Sequence, residues 1–298
     1  MRDDLIIREV LAKCDVLRDV GFWPSERILR PRAWLRNFDK ADQGTAALLL
    51  DKFNFYNSRL TDALLTSSFR SLGDGLPKAV RPDSPETLVR ALSRAVFTPV
   101  RGERPNPTDS GYLLCRKVRQ ILGIEEDRVV DSDRAIVAAE NGHPVVFLDD
   151  FIGSGDQFLY TWRDYWSNGK TFQTVQSSSG FVAIYIALVA TDFGVNQIKD
   201  ACQRVSLCIT HVLGPTSTLE GAFADDKAVE TRIIDFLWKY MHRLRPNEEY
   251  IARNADFLVK GYKNRGLFFG FEHSIPDATL PIFWSPGEDN WEPLIERT

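Results

Sequence analysis

Apolar residues recur along the chain with two different periods, and the switch between them organises the sequence. Leu5, Ile6, Val10, Leu11, Cys14 and Leu17 fall at helical spacing. So do Leu49, Phe53, Tyr56, Leu60, Leu64 and Leu65, after the segment Pro31 to Phe38. Gly73-Asp74-Gly75, with Pro77 and Pro82, stops that helical stretch and marks the best boundary in the sequence. From about Ser84, short apolar runs take over: Ala95 to Val100, Pro144 to Leu148, Phe181 to Ala190, Val205 to Leu213 and Leu267 to Phe271. They alternate with helix-compatible stretches at Ser110 to Leu122, Ser132 to Ala139, Phe158 to Trp166, Phe193 to Cys202 and Asp225 to Leu244. Runs that are apolar at nearly every position are strands covered on both faces, the mark of a parallel sheet between helices. The pattern predicts an α/β fold: a mostly parallel five- or six-stranded sheet flanked by helices in residues 84–298, with a helical N-terminal cap in residues 1–77. In such sheets ligands bind outside the carboxyl ends of the strands, so the loop after each run is where chemistry is expected.

Composition narrows the classes. With 298 residues, 44% hydrophobic and 26% charged, the chain has material for a substantial core, which excludes disorder. The longest apolar run, Phe181 to Ala190, is about half of what a bilayer span needs. The N-terminus carries Asp3 and Asp4 where a secretory leader would need cations, so a cytoplasmic location without a membrane partner is expected. The net charge of −4 gives no general attraction to nucleic acid; Arg27, Arg30, Arg32 and Arg36, diluted by Glu26, are the local cluster that could supply one. Cys14, Cys115, Cys202 and Cys208 are scattered without CxxC pairing and read as buried small hydrophobes. The histidines show no metal-ligand spacing, and no protein-held metal is directly predicted.

One stretch concentrates chemistry. The run Val145-Val146-Phe147-Leu148 passes directly into Asp149-Asp150-Phe151-Ile152-Gly153-Ser154-Gly155-Asp156-Gln157, and a helix with Phe158, Trp162 and Trp166 follows. A Gly-Ser-Gly turn leaves backbone N–H groups unobstructed, and the helix start adds further donors, so a phosphate fits there. Two adjacent carboxylates cannot hold that phosphate, because like charges repel. They suit hydroxyl groups or a magnesium ion. A phosphate cradle beside an acid pair that takes hydroxyls describes a sugar phosphate.

Val145 to Gln157 resembles the phosphoribosyl pyrophosphate signature of type I phosphoribosyltransferases. The resemblance implies that Asp149 and Asp150 hold the ribose hydroxyls and that Gly153, Ser154, Gly155, Asp156 and Gln157 form the 5′-phosphate loop. It also implies magnesium carried in by the substrate. Asp156 stands where the usual turn has a second glycine, and Gln157 where it closes on Thr. A carboxylate inside a phosphate loop repels an anion unless it points away. A second resemblance covers the stretch from Gly266 to Trp284, the segment Trp291-Glu292-Pro293-Leu294 and the N-terminal Trp34-Leu35-Arg36-Asn37-Phe38. These are similar to the phosphoribosyltransferase-like proteins of bacterial conflict (antiphage defence) systems, the PRTase-CE group, which implies defence-system protein partners. Where that group has an Asn pair after the proline, this chain has Asp277-Ala278.

Two further places belong to the expected rim. Glu272 and His273 follow the run Leu267 to Phe271, on the same rim as the acid pair if the strands are parallel, and His273 is the candidate to protonate a leaving base or bind a phosphate. Its alternative is a hydrogen bond to a neighbouring loop. The loop after Ala95 to Val100 carries Arg101 and Arg104 and enters a helix at Ser110-Gly111. In the resembled family its counterpart holds pyrophosphate, and Ser110 reads equally well as a helix cap. The leading reading is a phosphoribosyltransferase-like protein that binds a phosphorylated ribose or nucleotide. The alternative is a catalytically inactive nucleotide-sensing or partner-binding module with the same fold.

Overall fold

The computed structural model describes residues 2–72, 92–101, 110–245 and 255–297. In chain order its elements are α1 (Arg2–Asp19), α2 (Pro31–Leu35), α3 (Gln43–Lys52), β1 (Asn54–Tyr56), α4 (Ser58–Arg70), β2 (Val96–Pro99), α5 (Ser110–Leu122), α6 (Ser132–Glu140), β3 (Val145–Ile152), α7 (Asp156–Leu159), α8 (Phe172–Ser179), β4 (Ala183–Thr191), α9 (Asp192–Ala201), β5 (Val205–Leu213), α10 (Leu219–Ala222), α11 (Lys227–Tyr240), α12 (Ala255–Lys260), β6 (Phe269–Phe271) and α13 (Pro281–Trp284). They group into two compact units, Arg59–Leu213 and Met1–Ser58 with Gly214–Thr298. The expected boundary at Gly73 to Pro82 lies outside the described residues. No helix among the described residues is long and apolar enough to cross a membrane.

In Arg59–Leu213 four of the apolar runs pair in sequence order, β2-β3-β4-β5, and every pair is parallel. β4, inside the sheet, is buried at every position, as a strand with helices on both faces must be. One face packs Val145, Phe147 and Tyr185 against Phe158, Trp162, Phe172 and Ile198 of the neighbouring helices. On α4, Phe69 stacks on Phe97 of β2, and the Leu64 carbonyl accepts from Thr210 of β5.

The other unit joins the N-terminal residues to the C-terminal tail in one aromatic core. Trp34 donates its indole N–H to the Ile282 carbonyl at 2.8 Å, and Phe38 packs edge-on against Trp34, Tyr240 and Trp291. The chain is therefore α/β with parallel strands flanked by helices, but in place of the expected single five- or six-stranded sheet the described residues form a four-stranded and a two-stranded one. β6 pairs with β1, Phe55 opposite Gly270. That pairing also corrects the helical reading of Leu49 to Leu65. The helix stops at Lys52, because Asn54 gives its N–H to the Phe268 carbonyl, and a new one begins at Ser58, whose N–H and hydroxyl both donate to Glu272 at 2.7 Å. A helix the pattern did not predict, α8, starts at a reciprocal Thr171–Thr174 capping box and ends at Gly180 in a left-handed conformation.

Candidate functional site

β3 runs four residues beyond the apolar stretch that announces it, so Asp149 and Asp150 lie within the strand rather than in the loop after it. The ladder continues because β4 continues beside it, with Asp149 opposite Ala187 and Phe151 opposite Val189. Side chains alternate along a strand, and the two acids accordingly turn to different partners. Each is only 5% exposed. Asp149 accepts from the Tyr185 hydroxyl at 2.9 Å and from the Asp150 N–H at 3.0 Å. Burial, and then the adjacent Asp150 charge, push its carboxyl well above the usual carboxylate range, against the opposing pull of Tyr185. The same burial, with Asp149 beside it, raises the Tyr185 phenol. Asp150 accepts from the Ser110 hydroxyl at 2.7 Å.

Ser110 is the first residue of α5, and Gly111 lets that helix approach the strand ends. A Cβ there would lie 2.9 Å from Pro99 Cβ and 3.3 Å from the Leu148 carbonyl oxygen. The head of α5 therefore meets the carboxyl ends of β2 and β3 beside Asp150. Arg101 does not aim at the acids. Its guanidinium stacks over Tyr165 at 4.4 Å, and its backbone is tied to Thr161. The Tyr165 hydroxyl in turn donates to Asp133 at 2.6 Å. Arg104 lies outside the described residues.

The bend Gly153 to Gln157 is clamped against α9. Thr191 caps that helix, accepting from the Gly194 N–H at 2.9 Å, and donates its hydroxyl proton to the Gly153 carbonyl. A Cβ on Gly194 would sit 2.5 Å from that carbonyl oxygen, so a larger residue cannot occupy the contact. Gly155 has φ +83° and faces Ile198, with no room for a side chain in a conformation that favours glycine. Asp156 accepts from the Ser154 hydroxyl at 2.7 Å and from the Gln197 amide at 3.0 Å. The backbone N–H groups of Gly153, Ser154, Gly155 and Gln157 donate to no protein acceptor among the described residues. Behind the bend the chain makes a π turn, in which Thr161 donates to the Gln157 carbonyl at 3.0 Å. Trp162 is buried against Phe158 and Phe172, whereas Trp166 is exposed.

The structure thus brings together Asp149, Asp150, Ser110, Gly111 and the bend. His273 follows β6, which pairs with β1 and not with the four-stranded sheet, so the two are not ends of one sheet as expected. Its ring stacks on Phe271, and Glu272 is spent on capping α4. The sequence pattern does not single out Tyr185 as the partner of Asp149 or Gln197 as the partner of Asp156, and it offers Thr191 only as a polar rim residue or an ordinary turn. For Tyr185 a signal existed: a phenol in an otherwise fully apolar strand must find a buried partner. Of the arginine cluster, Arg30 is paired with Glu292 and Glu296, and Arg32 with Asp15 and Glu26. The four cysteines are buried and unbridged, and burial pushes the Cys14 and Cys115 thiols up to about 12.

Among the described residues no group of three His, Cys, Asp or Glu side chains could hold a metal. The oxygen donors of Asp149 and Asp150 fit magnesium only as an ion that arrives with phosphate oxygens of its own. The PRTase-CE family model matches residues 31–297. Among solved structures, the AQ2163 protein from Aquifex aeolicus is similar at 12% sequence identity and a TM-score of 0.30, covering 62% of this chain and 84% of that one. A comparison with curated proteins gives no match.

Proposed function

Because the chain belongs to the PRTase-CE family and is a phosphoribosyltransferase-like protein, we propose that it binds a phosphorylated ribose, phosphoribosyl pyrophosphate or a nucleotide, at the carboxyl ends of β2 and β3. The observation that carries this reading is the juxtaposition of Asp150, held by Ser110 at 2.7 Å, with a bend whose backbone N–H groups have no protein acceptor among the described residues. Hydroxyls of the ribose donate to Asp150, with Asp149 behind it. The 5′-phosphate lies on the bend. The head of α5, with Ser110 and Gly111, faces the departing anion; a pyrophosphate role for Arg101, proposed together with Arg104, requires its guanidinium to leave the Tyr165 ring.

Transfer would ask little covalent work of the chain. As pyrophosphate leaves C1′ the ribose becomes oxocarbenium-like, and the protein fixes the sugar and excludes water. Magnesium, carried by the substrate, supplies charge neutralisation on the leaving group. A cytoplasmic defence role with protein partners from the same system is part of this proposal. The test is Asp149→Asn with Asp150→Asn. The doubly changed protein should fold, lose nucleotide binding by calorimetry and lose any phosphoribosyl turnover. Full activity in that protein would show the site to be elsewhere.

A second reading, binding without transfer, is favoured by the Asp156 carboxylate, which takes up the Ser154 hydroxyl and the Gln197 amide inside the bend. Calorimetry paired with a product assay separates the two. Binding without product selects the sensor or partner-binding module.

A further inference from the structure

Resting on the reading of the acid pair and the bend as one sugar-phosphate site, we infer that Tyr185 is a positioning residue. It fixes the distance between the acid that takes ribose hydroxyls and the bend that takes the 5′-phosphate. Alternation along a strand puts Phe147 and Asp149 of β3 on one sheet face, and the register sets Tyr185 and Ala187 of β4 beside them on that face. The small Ala187 stands opposite Asp149 and leaves the carboxylate to Tyr185, whose hydroxyl donates to one oxygen at 2.9 Å. The other oxygen accepts the Asp150 N–H at 3.0 Å, which ties the backbone of the ribose-facing acid to the same phenol. The Tyr185 ring lies almost parallel to Phe158, with 4.2 Å between centroids and 12° between planes. Phe158 directly follows Gln157, the last residue of the bend. One fully buried side chain thus braces both halves of the site.

A ribose 5-phosphate gains from both contacts at once only when the two subsites match the fixed span between its hydroxyls and its phosphate. A shift of about 1 Å at either end forfeits much of that gain. The bend has braces of its own: Thr191 donates to the Gly153 carbonyl, Gly155 packs on Ile198 and Gln197 donates to Asp156. Removing the phenol hydroxyl therefore loosens the acid end against an intact bend. The ligand class this spacing selects is a ribose that carries its ring hydroxyls and a 5′-phosphate on the same sugar, in preference to either group alone.

Amide NMR titrations of the bend with ribose 5-phosphate and with inorganic phosphate test this. The unaltered protein should bind ribose 5-phosphate roughly tenfold or more tightly than phosphate. Tyr185→Phe, which keeps the ring stack and removes the hydroxyl, should lose about tenfold for ribose 5-phosphate while its phosphate affinity moves by less than about twofold. Phe158→Leu, which keeps the hydroxyl bond and removes the stack, should show the same split, so the inference does not depend on one variant folding. A residue that serves stability alone would weaken both probes alike or neither, and either pattern overturns the positioning role and leaves the site standing. No preference for ribose 5-phosphate in the unaltered protein, or no binding of either probe, overturns the sugar-phosphate reading as well.

Discussion

The carboxyl ends of β3 and β6 each lead into a polar stretch, and the fold uses the two in opposite ways. After β6 the polar groups are consumed by the architecture. Glu272 caps α4, Asp277 pairs with Arg297, Thr279 donates to the Phe269 carbonyl at 2.6 Å, and Trp284 donates to the Thr279 carbonyl at 3.0 Å. At β3 the side chains brace one another, Asp149 on Tyr185, Asp150 on Ser110 and Asp156 on Ser154 and Gln197, while the backbone of the bend keeps donors for something else. A motif whose donors and acceptors are matched among themselves is doing structural work. One that spends side chains to hold a row of unmatched N–H groups is built for a ligand.

The contrast can be broken at several points. The largest effect is expected at Gly194→Ala, where the new methyl meets the Gly153 carbonyl; the loss should be about 3 kcal/mol in denaturant unfolding. A loss under 0.5 kcal/mol would mean that the bend is not clamped as described. Next comes Asp150→Asn, expected to weaken ribose-phosphate binding about 30-fold, roughly 2 kcal/mol, with the melting temperature little changed.

Asp149→Asn should go the other way on stability. The carboxyl sits above its unfolded value, near 3.9, so as pH rises past about 4 the unfolded chain gives up this proton first and the folded state loses ground until Asp149 itself ionises. An amide carries no such penalty, and the Tyr185 hydroxyl can turn to accept from it. The variant should gain about 1–2 kcal/mol at neutral pH and lose that downward slope, as pH-dependent unfolding curves would reveal. Parallel curves for the two proteins would contradict the burial argument. The smallest effect belongs to the tail. Glu272→Ala should cost about 1 kcal/mol through the α4 cap and leave ligand affinity within twofold. A larger loss of affinity than of stability would promote the β6 end to a ligand site.

The β3 site was legible because its chemistry is local: strand, acid pair, glycine bend and helix follow one another within Val145 to Phe158. The strand's length was not, since two carboxylates end an apolar run although the ladder to β4 carries on through them. β1 was hidden inside a helical period, because Asn54 to Tyr56 become a strand only by pairing with residues near 270. Helix α8 was hidden by its polar, serine-rich sequence, which shows little periodicity. The partners Thr191 and Gln197 lie more than 30 residues from the bend, and their roles are set by how α9 docks.

The most direct measurement is an amide NMR titration with a 5′-phosphorylated nucleotide. The account predicts that the N–H signals of Gly153, Ser154, Gly155 and Gln157 shift most, with Ser110 and Gly111 next and Phe269 to Thr279 nearly still. Shifts concentrated in the tail, with the bend unmoved, would contradict it.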